Sequence, residues 1–417
     1  MAEWEPEPLV SAEDAERDAL LPHEPVLSEF EGVRCVADGV PCVNFAAYNF
    51  LGLGGSAALL EASKATVDKY GVGSCGPRGF YGTIDVHLHL EERMRDFMGA
   101  EEALLYAYDM AAPSSVIPTF AKKGDLVVCD EQVSWAVQNG VTLSRAEVHY
   151  FKHNDMADLE ATLVRLNARD KGKPINRRFI CVEGIYPKTG RLVPLDKLLA
   201  LKKKYKFRAI LDDSMAVGVL GATGRGTAEH HGVPITEVDM VTVNLGNALG
   251  SIGAMVLGSH KAMDHQRLNG AGYVFSASLP PFLASAAIKA LDRLDEEPQL
   301  VEQLQLNVTD FRKALAAHGG DALDIGGCDE SALVVVRLAV PADEAAEECV
   351  VRRAVELCQH EHGVLVATWR GTKLDRQQPR PALRACVSAA HSREQLEAAA
   401  AAVAGAMRKA GQEEGLM

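Results

Sequence analysis

The chain has 417 residues, 43 Lys and Arg against 57 Asp and Glu, a net charge of −14, and 47% hydrophobic residues. Such a length predicts a large core and more than one structural domain, and the acidic balance excludes a nucleic-acid binder or a polybasic membrane clamp. Nine cysteines, an odd number with no C-x-x-C pair, exclude a disulfide framework and a zinc site and point to a reduced, cytosol-facing chain.

Residues 1 to 45 form an expected N-terminal arm, with Pro6, Pro8, Pro22 and Pro25 breaking any helix. The acidic stretch Met1 to Pro25 lacks the apolar segment of a signal peptide. From Val43 short apolar runs alternate with helical periods. Strands are expected at Ala103–Tyr108, Leu126–Asp130, Glu147–Phe151, Arg178–Glu183, Arg208–Asp212, Met240–Asn244 and Ala254–Leu257, with helices such as Val86–Met98 and Leu195–Tyr205 between them. Near-continuously apolar strands alternating with helices predict an α/β fold, a mostly parallel sheet covered on both faces, over a large domain of residues 46–281. Met240 to Ser259 is uncharged and long enough to span a bilayer, but its four glycines and two asparagines indicate strand, turn and strand.

After Pro280-Pro281 the pattern changes. Helices are expected at Phe282–Asp295, Leu300–His318, Asp343–His360 and Arg393–Met407, and strands at Leu333–Leu338, Val364–Thr368 and Leu383–Ser388. This predicts a smaller C-terminal α+β domain, residues 282–417.

The sharpest local signal is Tyr70-Gly-Val-Gly-Ser-Cys-Gly-Pro-Arg-Gly-Phe-Tyr-Gly-Thr83. Five glycines mean a backbone that turns sharply and approaches something closely. The planar fork of Arg78 suits a carboxylate or phosphate. A plain surface loop would not place two tyrosines, a phenylalanine and a cysteine among the glycines.

With Asn49-Phe-Leu-Gly-Leu53, Phe151-Lys-His-Asn-Asp155, Glu3-Trp-Glu-Pro-Glu-Pro-Leu9, Asp264-His-Gln-Arg267, Phe275-Ser-Ala-Ser-Leu-Pro-Pro281 and Ser388-Ala-Ala-His391, that segment resembles the α-oxoamine synthases. These are pyridoxal 5'-phosphate (PLP) dependent acyltransferases. Within them the chain is most similar to the non-catalytic first long-chain-base subunits of eukaryotic serine palmitoyltransferase. The resemblance runs nearly end to end and implies the fold-type I PLP-dependent transferase (aminotransferase class I/II) architecture.

It also implies where the cofactor parts should stand. A lysine forms the Schiff base and an acid pairs with the pyridinium nitrogen. In the family's Asp-Glu-Ala-His pattern this chain has Asp212-Asp213-Ser214-Met215, which keeps the acid at Asp212 and puts Met215 for the histidine. Asp212 also suits a plain strand-end cap. Ser134 stands where the family's ring-stacking histidine falls, and Asn247 stands where the lysine belongs, with no lysine between Lys206 and Lys261. An asparagine amide cannot form an imine, so no catalytic residue is expected in this chain. In the family's phosphate-binding turn, Asp109 brings a negative charge and Pro113 has no N–H to give.

The resemblance implies a heterodimer with a catalytic, lysine-bearing long-chain-base subunit that holds the PLP. The pair would condense L-serine with palmitoyl-CoA to 3-ketodihydrosphingosine, the first step of sphingolipid biosynthesis. Cys75, Gly76, Arg78, Gly79 and Tyr81 are expected to face the partner's active site. Arg384 matches the family's substrate-carboxylate arginine, with a structural salt bridge as the expected role here. Small membrane regulators are further expected partners, and nucleic acid is not. Placement at the cytosolic face of the endoplasmic reticulum is expected, through the partner or through an anchor preceding Glu3. Two rival readings remain: a homodimeric α-oxoamine synthase using Lys188 or Lys261, and a purely scaffolding or regulatory subunit.

Overall fold

The structure, a computed structural model, describes residues 6–11, 24–171, 177–369, 371–372 and 374–417. Pro22 and the first three residues of the Glu3–Leu9 motif therefore lie outside the described residues.

Within the expected arm, residues 27–44 form strands. Leu27–Glu31 (β1), Arg34–Ala37 (β2) and Val40–Asn44 (β3) form an antiparallel run, and β3 pairs in parallel with a short strand from the far end of the chain. The prolines that break helix there do not oppose an edge strand, and Gly32 and Gly39 supply left-handed turns between the strands.

Helices Ala57–Tyr70 (α1) and Asp85–Met98 (α2) lead into Glu102–Tyr106 (β4), Ala111–Phe120 (α3) and Leu126–Asp130 (β5). Next come Trp135–Ser144 (α4), Glu147–Phe151 (β6), Met156–Arg169 (α5), Arg178–Glu183 (β7), Leu195–Tyr205 (α6) and Arg208–Asp212 (β8). Met240–Asn244 (β9) and Ala254–Gly258 (β10) complete a seven-stranded sheet ordered β4-β10-β9-β8-β7-β5-β6. All pairs are parallel except those of β10, which runs antiparallel to both neighbours. Every residue of β5 and β7 is buried, as continuous apolar runs require in a sheet covered on both faces. The uncharged stretch around residue 250 is thus two strands and a turn. Among the described residues no helix is long and apolar enough to cross a membrane.

His260–Asn269 (α7) follows β10, and Pro281–Glu296 (α8) begins at the double proline, with Pro281 in the first helical turn, where its lack of an N–H is harmless. α8 packs on α1 and α2, so by contact it belongs to the larger body, although the sequence pattern changes just before it. The smaller layer starts with Gln299–Gly319 (α9) and contains Leu323–Gly326 (β11), Leu333–Leu338 (β12), Glu344–His362 (α10), Val364–Leu365 (β13), Ala367–Thr368 (β14), Leu383–Cys386 (β15) and Arg393–Glu413 (α11). β11, β12, β15 and β14 make an antiparallel sheet, with α11 packed against α9 and α10. The strand expected at Val364–Thr368 is split: β13 joins β3, while β14 joins β15.

The segment Ser388–His391 is held within the smaller layer by Asn307 and joined to residues 45–49 by Ser388 and His391. Asn307 donates its side-chain amide to the carbonyls of Ser388, Ala389 and His391 at 2.8, 3.3 and 3.0 Å. Ser388 Oγ donates to the Asn49 carbonyl at 2.6 Å. The His391 ring stacks on Phe45 with centroids 3.9 Å apart.

Candidate functional site

The carboxyl ends of the central parallel strands are where ligands bind in open α/β sheets. Here that edge gathers Glu183 (β7), Asp212 (β8) and Asn244 (β9), followed by the turn from Leu245 to Gly253 that leads into β10.

Asn247 lies in that turn. Its backbone N–H donates to Asn244 Oδ1 at 3.0 Å, and its carbonyl accepts the Phe50 N–H at 3.0 Å. Its side-chain amide donates to the Ser214 carbonyl at 2.9 Å and contacts Met215 Sδ at 3.3 Å. Both Asn247 and Met215 are buried. The amide therefore points at the run after β8 and satisfies a carbonyl there.

Asp212 is buried, and its Oδ1 accepts the Ser214 N–H at 3.0 Å. Burial pushes its carboxyl above the ordinary range, and the nearby charge of Asp109 adds to the rise. Asp109 is raised too, by desolvation, although its Oδ1 accepts the Gly253 N–H at 3.1 Å. Gly253 has φ 108°, and a Cβ there would stand 2.8 Å from the Tyr106 carbonyl oxygen, so only glycine offers that N–H. Glu183 is held well above its usual value by burial and by Asp212; its Oε2 accepts the Ser134 N–H at 3.0 Å. Ser134 stands at the N-cap position of α4 without a side-chain capping bond, and Pro113 lies buried in the first turn of α3.

Arg384 was expected in a salt bridge. Instead its Nη1 donates to the Tyr48 hydroxyl at 2.7 Å, and its guanidinium lies 5.1 Å from the Tyr48 ring and 6.0 Å from that of Trp369. Among the described residues no carboxylate pairs with it. A guanidinium stacks on aromatic faces, which is why two rings replace an acid here. Burial lifts the Tyr48 phenol to about 12, against the opposing pull of Arg384.

Of the two lysines weighed as stand-ins, Lys188 is buried in an ion pair with Asp375, both side chains fully enclosed. Lys261 is exposed near the start of α7. In the β9–β10 register Ala254 faces Asn244 and Gly258 faces Met240, so Lys261 leaves the sheet at the strand starts, about 13 Å of strand away from the Asn247 turn.

The glycine-rich loop has an inward and an outward part. Arg78 is buried and forms a bidentate pair with Glu91 of α2, at 2.8 and 2.9 Å, while its Nε donates to Thr83 Oγ1 at 3.0 Å. Glu91 Oε1 also accepts the Leu105 N–H at 2.8 Å. The expectation that Arg78 faces a partner is corrected accordingly: its fork is spent on this chain's own carboxylate. A Cβ on Gly82 would fall 1.9 Å from the Gly76 carbonyl oxygen, so the loop closes only with glycine there. Cys75 (φ 59°) and Tyr81 (φ 63°) are held in the left-handed region and are exposed, Tyr81 completely. Gly79 has open space about its Cα.

The loop is tied to the Phe275–Leu279 segment by Ser74 Oγ donating to the Ser278 carbonyl and Ser278 N–H donating to that of Gly76, both at 2.8 Å. Val72, Phe80, Tyr81 and Phe275 are exposed on these segments, and Tyr108 and Ile252 on the pair joined by Asp109 and Gly253.

Sequence reasoning missed Glu91, Tyr48 and the Lys188–Asp375 pair. Glu91 had a legible signal: it stands on the face of α2 that buries Leu90, Met94 and Phe97, where an acid requires a buried partner.

The aminotransferase class I and II family matches residues 40–403. Long chain base biosynthesis protein 1b of Oryza sativa subsp. japonica is 46% identical over 94% of this chain and 80% of its own length. Serine palmitoyltransferase 1 of Dictyostelium discoideum is 39% identical over 95% and 83%. A solved serine palmitoyltransferase from Sphingomonas wittichii is similar with a TM-score of 0.84 and 27% identity, covering 97% of both chains. Another, solved with a PLP internal aldimine, gives 0.84 and 26% over the same coverage. The chain belongs to the aminotransferase class I and II family, and within it to the group of long chain base biosynthesis protein 1 and serine palmitoyltransferase 1.

Proposed function

We propose that this chain is the non-catalytic subunit of a serine palmitoyltransferase. It supports condensation of L-serine with palmitoyl-CoA by a lysine-bearing partner that holds the PLP. The single observation carrying this reading is the Asn247 side chain, an amide at the expected lysine position that is already bonded to Ser214 and Met215. The surrounding residues do not fit a covalently held PLP. Asp212 keeps an acid, but Met215 and Ser134 offer no ring, Asp109 places a carboxylate where a phosphate would sit, and Pro113 lacks an N–H. No step of the reaction is therefore assigned to residues of this chain.

What supports a partner is the exposure of the large apolar side chains Val72, Phe80, Tyr81 and Phe275 on the tied loop segments, and of Tyr108 and Ile252 beside the Asp109–Gly253 bond. Cys75 and Tyr81 are the loop residues proposed to reach the partner's site; Gly76 and Gly79 give the loop its path. The scaffolding reading gains from the inward turn of Arg78, whose fork fixes the loop from within this chain. The homodimeric reading needs a free lysine, whereas Lys188 is held by Asp375 and Lys261 stands at the opposite sheet edge. The heterodimer is proposed to work at the cytosolic face of the endoplasmic reticulum.

Co-expression with a lysine-bearing long-chain-base subunit tests the reading. The pair should show PLP absorbance and form 3-ketosphinganine, and this chain alone should do neither. Turnover by this chain alone would overturn it.

A further inference from the structure

In the β2–β3 pairing Cys35 stands directly opposite Cys42. The N–H groups of Val43 and Phe45 go to the carbonyls of Gly363 and Leu365 on the β13 side, both at 2.8 Å. The Asn44 N–H goes the other way, to the Val33 carbonyl at 2.7 Å. Directions alternate along a strand, so Cys42, like Asn44, turns its N–H towards β2. Cys35 and Cys42 are thus a hydrogen-bonded antiparallel pair, with Cα atoms about 5.5 Å apart. Their side chains lie on one face of the sheet. Disulfides join Cα atoms roughly 4.4–6.8 Å apart, most often about 5.5–6 Å, so the backbone already has the span of one.

Both thiols are free, and with Ala37 and Leu365 they form a small cluster apart from the main core. Burial pushes both thiols up, and for Cys42 the neighbouring Cys35 adds to the rise, as two close thiols require. They are not sealed in. Each keeps a trace of exposure, 3% and 4%, and both line a surface groove of about 420 Å³. Exposed Glu31, Arg34, Pro41 and His362 form the rest of its wall.

A second facing pair shows what the groove adds. Cys129 stands opposite Cys181 in the β5–β7 register, but both are wholly enclosed in the large sheet. No reagent reaches that pair while the sheet is intact.

We propose that Cys35 and Cys42 form an oxidative modification site, a dithiol that a small disulfide such as glutathione disulfide converts to a cross-strand disulfide. One cysteine thiolate attacks the reagent's S–S bond, forming a mixed disulfide and releasing one glutathione thiolate. The facing thiolate then attacks the protein sulfur of that mixed disulfide and releases the second glutathione. Two protein thiols are oxidised, one glutathione disulfide is reduced, and the two thiol protons end on the two glutathiones. Such a bond, in a chain without a disulfide framework, is reversible and redox-sensing. It ties β2 to β3, the strand that joins the amino-terminal run to β13. The site is independent of the Asn247 turn and of the proposed function.

The test incubates the full chain with glutathione disulfide for hours, alkylates the remaining thiols and digests with trypsin. The tryptic peptide 35–64 holds Cys35 and Cys42 and no other cysteine. It should appear unalkylated and two hydrogens lighter than its reduced form. After dithiothreitol it should accept two alkyl groups. Cys129 and Cys181 should be alkylated only once the chain is unfolded. Peptide 35–64 still carrying two free thiols, a glutathione adduct that persists on either cysteine, or equal oxidation of the Cys129–Cys181 pair would overturn the proposal.

Discussion

Asn247 and Ser214, 33 positions apart, are joined by a 2.9 Å hydrogen bond from side-chain amide to backbone carbonyl. The bond seals the turn after β9 to the run after β8. A lysine at the same place would have to leave that carbonyl unpaired or bury a charge against it. We therefore expect Asn247→Lys to lower stability by about 1–3 kcal/mol and to bring no Schiff-base absorbance when the purified chain is mixed with PLP. Difference spectra and a melting curve check both halves.

Arg78 and Glu91 form a buried ion pair that also receives the Leu105 N–H. Removing one partner leaves the other charge uncompensated, so Glu91→Ala should cost about 3–5 kcal/mol in unfolding free energy. The paired replacement Arg78→Met with Glu91→Leu should recover most of that loss. Denaturant unfolding of the two variants decides it.

Tyr81 is fully exposed in a left-handed backbone conformation. Glycine relieves that strain, so Tyr81→Gly should leave the isolated chain as stable or up to about 1 kcal/mol more so. Its removal from the proposed interface should still weaken heterodimer formation at least 10-fold, read by sedimentation or co-purification.

His391 is buried, with Nδ1 accepting from Ser388 N–H at 3.0 Å and Nε2 facing the Asn44 carbonyl at 3.2 Å. Burial lowers its pKa to about 4 from 6.5. The unfolded chain then takes up the proton first, so its contribution is complete above pH 6.5 and fades as pH falls to 4, on the order of 3 kcal/mol in all. Asp213, raised to about 6 by burial, acts in the opposite sense, favouring the fold as pH falls through 6. His391→Gln should therefore cost stability at pH 7, and the gap from the unmodified chain should narrow steadily towards pH 4.

The parallel sheet was legible because its strands are short, apolar and buried on both faces; Leu126–Asp130 and Arg178–Glu183 fall where expected. The strands Leu27–Asn44 were not, since Glu29, Glu31, Arg34 and Pro41 interrupt any alternation and their pairing is set by a distant segment. At the site, residue types were readable but directions were not. Nothing local to Arg78 says that it turns to an acid on α2, or that Arg384 prefers Tyr48 and Trp369 to a carboxylate.

The parallel pairing of β3 with β13 aligns Val43 with Val364, with roughly three-quarters of the chain between them. During synthesis the first of these strands leaves the ribosome long before the second exists. Its open edge, and the small cluster of Cys35, Ala37, Cys42 and Leu365, must wait until residues 364 and 365 have been made. Nascent chains stalled before residue 364 are thus expected to carry an unpaired, adhesive border, and synthesis past residue 365 becomes a condition for solubility.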